Sequence, residues 1–174
     1  MTATVDDSTL ADIQDPTTNK PSRLGRRIAV GVIMLIVVVG ATGFLGVHAG
    51  TAKKTANGYT LTVVYPQIAR AGLDVPWRAT VTHPGGFPSD ITIAISTHYF
   101  DIFETQGFHP NPSDESATPE FYYLTFKKPP GDTLEVSYDA YIQPGSQLGR
   151  HADTAVLINN AEMVRVDYRT WLMP

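Results

Sequence analysis

The side chains able to do chemistry are few and scattered. His83, His98, His109 and His151 are the histidines beyond residue 58. Of these, His98 has Asp101 and then Glu104 following at helical spacing, which would bring the three toward one face of a short helix. Imidazole beside carboxylate is a donor set that suits zinc or copper. His83 and His109 each precede a proline, as solvated turn residues do, and no two histidines have a recognised ligand spacing. Ser146 sits in Pro-Gly-Ser-Gln-Leu-Gly, which is not the Gly-x-Ser-x-Gly elbow that exposes a nucleophile. Glu135 and Asp139 fall on the polar face of an alternating segment, where a carboxylate stays solvated instead of acquiring the raised pKa of a general acid. Gly85-Gly86 has no helix after it to cradle a phosphate. These residues predict no catalytic group, no cofactor and no metal centre, with a ligand- or metal-binding domain using His98 and Asp101 as the alternative.

Composition narrows the field in the same direction. The 174 residues include 13 basic and 17 acidic side chains and no cysteine. A net charge of -4 is the wrong sign for neutralising phosphates, so no nucleic-acid partner is expected. Without cysteine there is no disulfide framework, thiolate metal site or cysteine nucleophile.

The elements that would position any site divide into four stretches. Residues 28–50 read IAVGVIMLIVVVGATGFLGVHAG, with no formal charge and with His48 alone ionisable. At about 1.5 Å per residue such a helix covers roughly 34 Å, enough to cross a hydrocarbon layer of about 30 Å. Lys20, Arg23, Arg26 and Arg27 precede it and only Lys53 and Lys54 follow, so the charge bias predicts a cytoplasmic N-terminus and an extracytoplasmic C-terminal domain. The stretch exceeds the apolar core of a cleaved signal, which favours an uncleaved signal-anchor at the cell membrane. Residues 1–27 read as a disordered cytoplasmic tail, in which Thr17 and Thr18 are candidate phosphate acceptors, and residues 51–57 as a hydrophilic linker.

From residue 58 to 174 the pattern changes to period-two alternation broken by Pro and Gly clusters, which predicts an all-β sandwich. Seven strands are expected: 59–65, a second at 75–82 carrying Trp77, then 91–96, 121–127, 134–142, 154–158 and 163–172. A helical turn is expected near Tyr99, Phe100 and Phe103, inside a long connection, residues 97–118, that either covers one face of the fourth strand or leaves it as an exposed patch for a partner.

Seven alternating strands, a tryptophan on the second and Pro129-Pro130-Gly131-Asp132 ahead of TLEVSYDAYIQP together resemble an immunoglobulin-like sandwich. Residues 129–144 are similar to the penultimate hairpin of adhesion-type or accessory sandwich repeats of bacterial envelope proteins. A single copy behind an N-terminal anchor resembles the single-pass envelope proteins of Gram-positive bacteria, actinobacteria in particular. The resemblance implies a scaffold for contact, with no catalytic residue to carry over.

The expected function is therefore a non-enzymatic, membrane-anchored accessory or assembly subunit, with an integral membrane protein or complex and membrane lipid as partners and no small-molecule ligand. The candidate contact residues are Gly43, Gly46 and Gly50, which form a small-xxx-small stripe on the membrane helix, together with Tyr123 and Trp171 on the sandwich. Tyr123 lies in Phe121-Tyr122-Tyr123-Leu124-Thr125-Phe126, bulky on both faces, and Trp171 stands at an apolar C-terminus beside Arg169.

Overall fold

The computed structural model describes residues 20–41, 46–104, 107–146 and 148–173, with side chains from Arg23 onward. The expectations for the tail up to residue 19 and for Gly43 lie outside the described residues. The chain divides into two compact units, Met1–Leu45 and Gly46–Pro174.

The first unit holds one helix, α1 (Lys20–Ala41). Its segment Arg23–Ala41 has a mean hydropathy of 2.1 and is long and apolar enough to cross a membrane. Arg23, Arg26 and Arg27 lie inside its first turns, so the helix starts within the stretch expected to be disordered tail. It also ends earlier than expected: Gly46 and Val47 are irregular, and His48 already belongs to a strand.

The second unit is mostly β, in two sheets. The strands are β1 (His48–Ala56), β2 (Tyr59–Arg70), β3 (Asp74–Thr82), β4 (Ile91–Ser96), β5 (Phe108–His109), β6 (Asp114–Ala117), β7 (Phe121–Phe126), β8 (Thr133–Tyr141), β9 (His151–Ile158), β10 (Ala161–Arg169) and β11 (Trp171–Met173). Sheet A has the order β1-β2-β3-β8-β5 with β11 parallel to β2, and sheet B has β10-β9-β4-β7-β6. Eleven strands replace the expected seven.

The physical reasons for the extra strands are local. Residues 51–57, expected as linker, form most of β1, because Asn57 and Gly58 both take positive φ and close a two-residue hairpin with β2. In β1 the inward side chains are only Gly50, Ala52 and Ala56, so its neighbours supply the bulk: the Tyr65 ring lies over Gly50, where an added Cβ would come 2.6 Å from Tyr65 Cζ. The expected last strand breaks at Thr170. There the chain leaves sheet B and enters sheet A, with the Thr170 amide donating to Arg150 O at 2.9 Å.

The core between the sheets is built from the alternate residues of β2, β3, β4, β7, β8, β9 and β10, with Trp77 among its largest fully buried side chains. The expected helical turn is a 3-10 helix, Thr97–Ile102, and it buries Tyr99 and Ile102. The connection containing it does not lie over the outer face of β7. It attaches β5 to β8 of sheet A and β6 to β7 of sheet B, closing one side of the sandwich with Phe100 and Phe108 packed between Tyr122 and Tyr138 and Phe103 against Tyr138.

The two ends of the sandwich differ. One carries the turns at Asn57-Gly58, His83, Asp132 and Asn159-Asn160, joined by bonds such as Asn57 Nδ2 to Met163 O at 2.9 Å and His83 N to Asp132 O at 2.8 Å. The other carries the start of β1, the β2–β3 turn, the β8–β9 loop and β11, since His48 and Trp171 both pair with Ile68 and Asp74 pairs with Tyr141.

Candidate interaction surface

The structure brings His98 and Asp101 together at the surface, Nδ1 to Oδ2 at 3.5 Å, three residues apart on the 3-10 helix. It also sets the Arg150 guanidinium 3.9 Å from the same carboxylate oxygen. Among the described residues no group of three His, Cys, Asp or Glu is placed to hold a metal. His109 pairs with Asp139 at 3.7 Å across β5 and β8, again at the surface. Glu135 pairs with Arg78 at 3.4 Å on the outer face of sheet A. A shallow groove on that face, lined by Val64, Pro76, Arg78, Ser137 and Asp139, opens where β3 parts from β2.

Polar groups in the interior are paired with one another. Trp77 Nε1 donates to the Tyr168 hydroxyl at 3.0 Å, and that hydroxyl shares a second bond with Thr154 Oγ1 at 2.9 Å. Tyr99 and Thr170 pair through their hydroxyls at 2.9 Å. Burial holds the Tyr99 and Tyr168 phenols well above their ordinary pKa, so both are neutral donors and acceptors at any physiological pH. These bonds satisfy and fix the core; none of the groups reaches solvent to act on a substrate.

The small-residue stripe does not fall on one helix. Gly46 precedes β1, and Gly50 lies inside it beneath the Tyr65 ring, which stacks in turn on Tyr168 at 4.6 Å. Gly50 is therefore small because an aromatic ring of its own sheet occupies the space, and Gly43 lies outside the described residues. Trp171 lies on β11, half exposed, with the Arg169 guanidinium stacked 3.8 Å from its ring centre.

Tyr123 falls on the outer face of sheet B, within a row that the register makes continuous: Arg165, Ala155, Ala94, Tyr123 and Ser116 stand opposite one another on β10, β9, β4, β7 and β6. The two alanines are buried at 1% and 3% although the register sets them on the outer face. Arg165 extends across the row and places its guanidinium 5.1 Å from the ring centre of Phe121, whose ring lies 6.3 Å from that of Tyr123. Glu162 holds the same guanidinium through a 2.6 Å bond from Nη2 and two longer ones from Nε. That hydrogen bonding pulls the Glu162 pKa down and pushes the Arg165 pKa up, so the pair is ionised across the physiological range. Beside it, Tyr122 points inward to Phe100 and donates its hydroxyl to Glu115, a bond that with burial raises its pKa to about 12.

The result is a small-residue floor bordered by Phe121, Tyr123 and a guanidinium, the side-chain types enriched where proteins meet. Of this set only Tyr123 was legible in the sequence. Phe121 and Arg165 needed the register, although the clean alternation of Val164, Arg165, Val166 and Asp167 was a signal that Arg165 faces outward. No family model matches the chain, and no curated protein matches it.

Proposed function

We propose that the chain is a single-pass membrane protein with a cytoplasmic N-terminus, acting as a non-enzymatic accessory or assembly subunit whose outer β-sandwich contacts an integral membrane protein or complex. The single observation that carries the reading is the outer face of sheet B, where Phe121, Tyr123 and Arg165 stand around the Ala94–Ala155 floor. Its rigid aromatic rings lose little side-chain entropy on contact, and the guanidinium is preorganised by Glu162. Contact is assigned to the sandwich and not to a glycine stripe, because Gly50 is occupied by its own sheet.

Membrane anchoring is supported by the length and hydropathy of Arg23–Ala41 together with the three arginines at its start. The immunoglobulin-like reading is supported by strand order: β2-β3-β8 oppose β10-β9-β4-β7, and among these seven strands the path changes sheet after β3, β7 and β8.

The test is site-specific photocrosslinking in cells. A benzophenone amino acid at Tyr123 is expected to capture an integral membrane protein, whereas the same probe at Thr80, on the outer face of sheet A, is not. Equal crosslinking from both positions, or none from Tyr123, would refute this surface.

A further inference from the structure

Among the described residues of the second unit, the large apolar side chains exposed outright are Val47 at 36% exposure, Leu73 at 42%, Trp171 at 53% and Leu148 at 73%. All four stand at one end of the sandwich. Val47 immediately precedes β1, Leu73 lies in the β2–β3 turn, Leu148 in the β8–β9 loop and Trp171 on β11. Backbone bonds hold this end together: Gly72 N donates to Ile142 O at 2.9 Å, and Ile142 N to Leu73 O at 3.0 Å. The β8–β9 loop is seated against β11 at Gly149, whose position leaves no space for a Cβ beside Thr170 O. The two backbone bonds tie the β2–β3 turn that carries Leu73 to the end of β8. Arg70, Arg150 and Arg169 stand at the same end, with Arg169 stacked on Trp171 and Arg150 paired with Asp101. The opposite end, with its Asn-Gly, Asn-Asn and Pro-Gly turns, shows no exposed large apolar side chain among the described residues.

The sequence says what this end meets. Residues 28–47 carry no charge over twenty positions, about the number that one crossing of the hydrocarbon layer takes. That stretch runs out at Val47, so no polar spacer separates it from β1. With no polar spacer in the sequence ahead of β1, this is the end that a membrane-spanning stretch would present to a bilayer, and single apolar side chains beside arginines suit the headgroup layer. There an indole sits with its ring among acyl carbonyls, and a guanidinium meets lipid phosphate. We propose that this end of the sandwich is a lipid-docking surface, with Trp171 and Leu148 seated in the headgroup layer of the membrane that the helix enters and Arg169 directed to phosphate. The proposal rests on the anchoring reading above and goes beyond it by fixing which end of the domain faces the bilayer.

The test uses the full chain reconstituted into mixed phosphatidylcholine–phosphatidylglycerol vesicles containing a phosphatidylcholine labelled with a nitroxide at acyl carbon 5. The protein has two tryptophans, and Trp77 is 2% exposed in the core, so it serves as the unquenched reference. The expected result is loss of part of the emission in the wild type and no loss in Trp171→Phe. Leu148→Glu, a change at an exposed position that cannot disturb the core, is expected to lift the quenching partly. Protein that resists alkaline carbonate extraction but is quenched no more than Trp171→Phe overturns the docking surface and leaves the anchor standing. Protein released by carbonate overturns the anchor, and the docking surface with it.

Discussion

Replacing Tyr168 with phenylalanine removes one oxygen from the centre of the sandwich and leaves its ring in place. That oxygen is the acceptor for Trp77 Nε1 at 3.0 Å and the partner of Thr154 Oγ1 at 2.9 Å. An indole N–H can only donate, so in the variant it is left buried without an acceptor, at a cost of about 1–3 kcal/mol. Thr154 is fully buried too, but its hydroxyl can turn to a strand carbonyl, which places its loss at the low end of that range. Relief of the phenol's own desolvation offsets part of the sum, and the net is about 2–3 kcal/mol. For a domain of this size that lowers the thermal midpoint by on the order of 10 °C. The assay is thermal unfolding of the full chain in mild detergent, followed by near-ultraviolet circular dichroism, where Trp77 reports on the core. Thr154→Val supplies the second arm. If the hydroxyls act as one network, the double variant costs less than the sum of the singles by at least about 0.5 kcal/mol. A Tyr168→Phe effect under about 0.5 kcal/mol, additive with Thr154→Val, would refute the assignment of stability to this network.

Two further outcomes follow from the same interior. Burial raises the Tyr99 and Tyr168 pKa values in the fold, while an unfolded tyrosine ionises near pH 10, so these groups contribute stability that is complete below about pH 10 and is lost as pH rises beyond it. Absorbance at 295 nm should show these phenols ionising only together with unfolding, and Tyr122 titrating near 12 should fall toward 10 in Glu115→Gln; reversible ionisation of all 8 tyrosines near pH 10 with the fold intact would contradict this. Gly149→Ala would bring a Cβ to 1.9 Å from Thr170 O, a clash with backbone that costs about 3 kcal/mol or more, whereas Gly107→Ala meets nothing within 4 Å and should be silent. Thermal midpoints of the two variants decide it, and equal values would show that Gly149 does not clamp β11.

Which parts of this architecture were legible follows from where the apolar bulk sits. In β3, Val75, Trp77, Ala79 and Val81 are inward and buried, and in β8 so are Leu134, Val136, Tyr138 and Ala140; each strand carries its own core contribution, so alternation alone gives both strand and face. In β1 the bulk belongs to the partner strand: Gly50 is small because Tyr65 is large. A hydrophobic pattern cannot register a strand whose inward face is an absence of side chain, although Asn57-Gly58 did mark the hairpin that creates it. The break at Thr170 was hidden for a related reason. A polar residue at 0% exposure reads as surface until Tyr99, 71 residues away, is known to supply its hydrogen bond. The outer face of sheet B combines both obstacles. Ala94 and Ala155 look like weak core positions in sequence, and Arg165 looks like an ordinary solvated charge. Only the register that sets Arg165 opposite Ala155, Ala155 opposite Ala94 and Ala94 opposite Tyr123 turns them into one surface. A contact surface on a sheet is written across strands, at right angles to the chain, so sequence spacing, which locates a helix stripe or a metal-ligand motif, carries almost no information about it.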